Sequence, residues 1–164
     1  MTTIVMGTSA SEYLKADPTG SEVFGMSGDD TLRGGKSDDI LRGGVGNDKI
    51  RGGRGNDTLV GGDGDDIIGG GDGDDILQGG AGSDIMRGGD GADLFRVVTP
   101  GLSTTEIDIF QDFESGVDTI TFGANPANVT FEVIDGITFF DINSDGVADY
   151  AAKISGGLVA SDIV

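Results

Sequence analysis

Between Leu32 and Phe95 an apolar residue falls at every ninth position: Leu32, Leu41, Ile50, Leu59, Ile68, Leu77, Met86 and Phe95. Glycine pairs and acidic residues fill the intervals. In frame, residues 25–96 read as eight units: GMSGDDTLR, GGKSDDILR, GGVGNDKIR, GGRGNDTLV, GGDGDDIIG, GGDGDDILQ, GGAGSDIMR and GGDGADLFR. Their sixth place is always aspartate, at Asp30, Asp39, Asp48, Asp57, Asp66, Asp75, Asp84 and Asp93. The frame runs backwards in degraded form through GTSASEYLK and ADPTGSEVF, which keep Leu14 and Val23 at the eighth place but carry Glu12 and Ser21 at the sixth. Self-similarity at a fixed period marks a solenoid, in which each unit buries its apolar side against its neighbours. Each unit is expected to give one short strand around its eighth place, with the seventh and ninth side chains pointing outward.

After Arg96 the period stops, and Val97, Val98, Pro100 and Gly101 mark a boundary. Apolar segments beyond it predict strands over 107–113, 118–122, 129–134, 137–142 and 150–154. A solenoid needs an atypical terminal unit to close its core, and this segment supplies one. The predicted organisation is degenerate units over 1–24, eight repeats over 25–96 and a β cap over 97–164, all-β throughout.

Composition sharpens the picture. The 164 residues include 32 glycines and 29 acidic against 10 basic side chains, a net charge of −19. Such a chain leans towards disorder. An apolar share of 36% and the unbroken register argue for folding instead. With neither cysteine nor histidine, the chain has no disulfide framework, no thiolate or imidazole metal site and no Ser-His or Cys-His pair. It also lacks a GxSxG elbow. Its carboxylates are spaced as metal ligands, not as a lone acid/base pair in a cleft, so catalysis is expected to lie outside this chain. The first ten residues carry neither a basic n-region nor an apolar run, so an N-terminal signal peptide is not expected. No stretch is long and apolar enough for a membrane span, and the acidity disfavours nucleic acid as a partner.

The unit GGxGxDxUx, with U apolar, resembles the nonapeptide of RTX proteins. Over roughly residues 7 to 164 the chain is similar to the repeat regions of serralysin-type proteases, RTX lipases and alginate epimerase R-modules. The resemblance implies a right-handed parallel β-roll (a β-helix solenoid), with six residues of each unit in a turn, three in a strand, and two units per coil. It also implies a secreted, extracellular module that folds on Ca²⁺ after passing a type I exporter. Met26 for the second glycine and Ser37 for the fourth depart from the motif. The stretch IDIFQDFESGVDTITF resembles the serralysin cap, with Asp112, Phe113, Gly116 and Asp118 in matching places. The final LVASDIV, with Asp162 before an apolar end, looks like an uncleaved export signal and can equally finish the cap as a terminal strand.

The chemistry also follows from the residues. Ca²⁺ takes six to eight oxygens, carboxylates and backbone carbonyls among them, at about 2.3–2.6 Å. With eighteen residues per coil, Asp30, Asp48, Asp66 and Asp84 line one edge and Asp39, Asp57, Asp75 and Asp93 the other. Neighbouring strands lie about 4.7–4.9 Å apart, so an ion between stacked turns can take a carboxylate from each. That predicts about six interior sites, three per edge. The resemblance adds backbone carbonyls of the turn residues, among them Gly43, Gly44, Gly52, Gly53, Gly61, Gly62, Gly70, Gly71, Gly80 and Gly89. One buried apolar side chain per unit is a thin core, so folding is expected to depend on the ion.

Sorting outward residues by alternate unit places Lys15, Arg33, Lys49, Arg51 and Arg87 on one sheet face, a basic ladder that suits an acidic polysaccharide or else forms a solvated face. The opposite face is more apolar (Phe24, Ile40, Val60, Ile76, Leu94), as if covered by the C-terminal segment or a second copy. Within the cap, DINSDGVAD offers Asp141, Asn143, Asp145, the Val147 carbonyl and Asp149 at EF-hand-like spacing, although Ala152 stands where a bidentate Glu is expected. A plain Asx-turn explains the same residues. Two further readings accompany the folding module: a polyanion-binding module of an epimerase-type enzyme, and the C-terminal part of an RTX protease or lipase.

Overall fold

The computed structural model describes residues 3–98, 106–122, 129–142 and 148–164. Two sheets face each other across the ladder of eighth-place side chains. One runs in the order β1 (Thr3–Met6), β3 (Ser21–Ser27), β5 (Ile40–Val45), β7 (Thr58–Asp63), β9 (Ile76–Ala81), β11 (Leu94–Arg96) and β13 (Thr119–Thr121). The other begins with β2 (Tyr13–Lys15), β4 (Thr31–Arg33), β6 (Lys49–Arg54), β8 (Ile67–Asp72), β10 (Ile85–Asp90) and β12 (Asp108–Phe110). It continues through β16 (Tyr150–Ile154), β15 (Ile137–Asp141) and β14 (Thr130–Ile134). Successive strands alternate between the sheets, and every pair in the repeat is parallel at an offset of eighteen, as in Ile50 beside Ile68 and Leu59 beside Leu77. The protein is a parallel β-roll. Its degenerate first units join the same sheets, Val5 lying beside Val23 and Leu14 beside Leu32.

Eighth-place residues from Val23 to Phe95 are at most 3% exposed, whereas their seventh- and ninth-place neighbours reach the surface. The strands are longer than the three residues implied by resemblance. In β5 to β10 the ladder runs on through the glycine pair and third place, Gly53 pairing with Gly71 and Arg54 with Asp72. Two glycines leave room for adjacent coils to keep hydrogen-bonding through the bend. β4, which leads into the turn that carries Ser37, stops at Arg33.

At the C-terminal end aromatic side chains replace the aliphatic ladder. Phe95 stacks on Phe110 with ring centres 4.8 Å apart, and Phe122 meets Phe140 at 4.9 Å. Four of the five cap strands lie in the nine-stranded sheet and one, β13, in the seven-stranded sheet. They extend the sheets edge-on, so the outer apolar face is not covered by them, contrary to one expectation: Ile40, Ile76 and Leu94 stay partly exposed. The chain end is tied down by Asp162, which is buried and accepts hydrogen bonds from the Val159 N–H (2.9 Å), the Ser115 hydroxyl (2.8 Å) and the Gly116 N–H (3.0 Å). Burial opposes its ionisation, but these bonds hold its carboxyl below the usual range. Among the described residues no helix is long and apolar enough to cross a membrane.

Candidate metal centre

The sixth-place aspartates form two rows, as the eighteen-residue spacing demands. Within a row each Oδ1 accepts the backbone N–H of the sixth-place residue one coil earlier: Asp30 donates to Asp48, Asp48 to Asp66, Asp39 to Asp57 and Asp57 to Asp75, all at 2.7 Å. The rows run on into the cap, where Asp84 donates to Asp108 and Asp93 to Asp118, both at 2.9 Å. Asp108 lies outside the nine-residue frame, so the repeat gave no sign of it. Its place before the apolar Ile109 and Phe110, which pair with Ile85 and Met86, was the available signal.

With Oδ1 satisfied, the second oxygen becomes the chemical question. The Oδ2 atoms of Asp30, Asp48, Asp57, Asp66, Asp75, Asp84 and Asp93 are buried and have no hydrogen-bond partner. A buried carboxylate oxygen without a donor is costly, so such an atom calls for a cation or a proton. Its surroundings fit a cation. A Cβ built on Gly43 would meet both Asp48 Oδ2 and, at 2.8 Å, the Gly61 carbonyl of the next coil. Gly52 has the same relation to Asp57 and the Gly70 carbonyl at 2.9 Å, and Gly61 to Asp66 and the Gly79 carbonyl at 2.6 Å. The first-place glycines thus leave a cradle where carboxylate and carbonyl oxygens converge, and any side chain would fill it. Second-place Gly44, Gly53, Gly62, Gly71, Gly80 and Gly89 take positive φ and sit over the backbone of the second-place residue one coil earlier. Met26 adopts the same conformation at φ 84°. Among the described residues no three acidic side chains converge on one point. Each cradle instead combines carboxylate with main-chain oxygen, a set that suits a hard cation such as Ca²⁺.

Electrostatics agree. Burial, against the opposing N–H from the neighbouring coil, raises Asp57, Asp66, Asp84 and Asp93 to about 7 and Asp75 to about 6. Neighbouring aspartates push the same way, and Asp48 is raised by the same causes. A divalent cation relieves both the burial and the mutual repulsion.

A second ladder escaped the sequence reading. Fifth-place side chains accept backbone N–H groups one coil later: Asn47 donates to Asp29 (2.9 Å), Asp65 to Asn47 (3.0 Å) and Ser83 to Asp65 (2.8 Å). The other edge repeats this through Asp38, Asn56 and Asp74. The run of Asp and Asn at the fifth place was its signal.

On the basic face, Lys15, Arg33 and Arg51 stand on consecutive rungs, with Thr31 paired to Lys49 in the adjoining column. Arg87 is separated from them by Gly69 and turns to Asp112 at 2.9 Å. Third-place Lys36 and Arg54, which the sequence reading left out, join Arg33 and Arg51 around a concavity of about 310 Å³ floored by glycines. Arg54 also pairs with Asp72 at 3.2 Å. Of the EF-hand-like loop, Asn143, Asp145 and Val147 lie outside the described residues; Asp149 accepts the Ile142 N–H at 2.9 Å.

Two rows of metal-ready carboxylates between the turns of a parallel roll define a cation-binding solenoid. Residues 24–59, 42–77 and 60–95 match the family model of the RTX calcium-binding nonapeptide repeat, so that stretch reads as RTX calcium-binding repeats. The fold is similar to the solution structure of the AlgE6R3 subunit of the mannuronan C5-epimerase from Azotobacter vinelandii. That likeness has 21% identity and a TM-score of 0.48, covering 96% of this chain and 80% of that one. No curated protein sequence matches the chain.

Proposed function

We propose that this chain is a non-catalytic folding and export module of an extracellular protein, one that folds as it takes up Ca²⁺. The observation that carries this reading is the set of seven buried, partnerless Oδ2 atoms. In metal-free water at neutral pH and above those oxygens ionise without a counter-charge, and that weakens the roll. Asp48, Asp66 and Asp57, with the carbonyls of Gly61, Gly79 and Gly70, would hold the ion. Bound calcium supplies the positive charge that lets the carboxylates stay ionised and buried. Because cytosolic calcium is scarce and extracellular calcium near millimolar, the chain would stay extended until exported, which suits the type I route implied by the family resemblance. The test is far-UV circular dichroism in EGTA and in millimolar CaCl₂, with bound ions counted by calorimetry. Calcium should restore β signal lost in EGTA. A chain fully folded in EGTA would sink the proposal.

A second reading rests on the cationic concavity. Lys15, Arg33, Lys36, Lys49, Arg51 and Arg54, six of the ten basic residues, share one face of a chain of net charge −19. Flanking the concavity, a groove of about 650 Å³ runs along the same sheet past Ile67 and Gly69. A linear polyuronate could follow the rungs. Titrating alginate against the folded protein should give salt-dependent binding, weakened at least tenfold by alanine at Arg33, Lys36 and Arg51 together. No binding by the parent chain removes this reading and leaves the calcium one untouched.

A further inference from the structure

The turns are of two kinds, and main-chain conformation separates them. In the first row Met26, Gly44, Gly62 and Gly80 have φ of 84°, 118°, 131° and 132°, and the aspartates four places on (Asp30, Asp48, Asp66, Asp84) all have a partnerless Oδ2. In the second row Gly53, Gly71 and Gly89, at 127°, 135° and 113°, precede Asp57, Asp75 and Asp93, again partnerless. Gly35 is the exception among the eight repeats. It does not take positive φ, and its N–H donates to Asp39 Oδ2 at 2.8 Å. The degenerate and terminal turns do the same: the Thr8 N–H reaches Glu12 (2.5 Å), the Asp17 N–H reaches Ser21 Oγ (2.8 Å), and the Glu114 N–H reaches Asp118 Oδ2 (2.8 Å). In one state the second-place N–H points at the acceptor and satisfies it; in the other the acceptor is left for a cation.

Ser37 explains the exception. The fourth-place glycines at 28, 46, 55, 64, 73, 82 and 91 all have positive φ, whereas Ser37, carrying a side chain, does not. A residue with Cβ resists that conformation because its Cβ crowds the following carbonyl oxygen. The turn relaxes to the other state, its strand β4 ends early, and Gly35 turns its N–H onto Asp39. At the cap end the rows close differently: Asp108 Oδ2 accepts the buried Tyr150 hydroxyl at 2.5 Å, and Asp118 is met by Glu114.

We infer that the turn over 34–39 takes no ion and that the roll holds five interior calcium ions, with Ser37 as the residue that closes the sixth site. The count rests on the calcium reading above and arises twice. Four open aspartates in one row leave three gaps and three in the other leave two. From the glycine side, Gly25, Gly43, Gly52, Gly61 and Gly70 each sit beside both a partnerless Oδ2 and a next-coil carbonyl. Gly34 has its carbonyl neighbour, Gly52, but an aspartate already satisfied.

The test counts ions by calorimetry and by metal analysis after dialysis on the full chain, and follows the Gly35 amide by NMR hydrogen exchange in saturating calcium. The parent should bind one ion fewer than Ser37→Gly, whose unit then reads GGKGDDILR like its neighbours. Gly35 should be protected in the parent and exchange faster in the variant. Equal counts, or a Gly35 amide unprotected in the calcium-bound parent, would overturn the inference while leaving calcium binding intact. Absence of any bound calcium in the parent would instead bring down the calcium reading itself.

Discussion

Gly62 and Gly69 hold the second and ninth places of the same nonapeptide, yet they answer to different constraints. Gly62 has φ of 131°, and a Cβ there would run into the Gly44 carbonyl of the coil before. Gly69 has ordinary φ, and a Cβ would meet nothing within 4 Å. Left-handed backbone alone costs an alanine about 1–2 kcal/mol, and the collision with fixed main chain adds to it. Gly62→Ala should therefore lower stability by at least about 2 kcal/mol. Gly69→Ala should be neutral or gain about 0.5–1 kcal/mol, because alanine surrenders less backbone freedom than glycine in a strand. Urea unfolding of both variants in saturating calcium measures the difference. At this scale the sequence was informative wherever a residue type repeats with the period: buried eighth places and carboxylates at the sixth. It could not separate Asp39 from its seven equivalents, because the distinction lies in the direction of one N–H, and Met26 and Ser37 look like equal departures from the motif. Met26 keeps the open turn at φ 84° while Ser37 gives it up.

Between the coils, the elements are held by main chain as much as by side chains. Strands of six residues continue through the glycine pairs, and fifth- and sixth-place oxygens clamp the backbone of adjacent coils on either side of each turn. The periodic part of this was legible, since a repeat dictates its own register. The cap was legible as five strands with bounds within three residues of those observed, but its joinery was not. Hydrogen bonds such as Tyr150 to Asp108 join residues 42 apart that no period relates. Burial of that pair pushes Tyr150 well above its ordinary value, the adjacent Asp108 adding to the effect, and raises Asp108 despite the hydroxyl's opposing bond. The first row of aspartates ends on a phenol. The expected basic ladder counted only the seventh and ninth places, and so missed third-place Lys36 and Arg54. Those residues come up beside Arg33 and Arg51 once the strand is six residues long. The strand-length assumption, rather than the residue pattern, caused that omission.

For the molecule as a whole, protons and calcium compete for the same oxygens. Asp57, Asp66, Asp84 and Asp93 are raised to about 7 and Asp75 to about 6 in the metal-free fold, against an ordinary value of 3.8 that the unfolded chain keeps. Between those values the folded metal-free roll holds more protons than the unfolded chain. The stabilisation from that difference is fully present below pH 3.8 and is lost as pH rises through 6 to 7. Acid should therefore partly substitute for calcium. In EGTA, the β signal should grow as pH is lowered from 8 towards 5, until self-repulsion among the remaining charges ceases to matter. Calcium must displace the same protons, so binding near pH 6 should release several of them and binding at pH 8 almost none. Each linked proton weakens apparent affinity by up to about tenfold per unit fall in pH. Calorimetric titrations at pH 6 and 8, each in two buffers of different ionisation enthalpy, read the proton count directly. Proton release that did not change between those two values would mean that the carboxylates meeting calcium are not the buried ones.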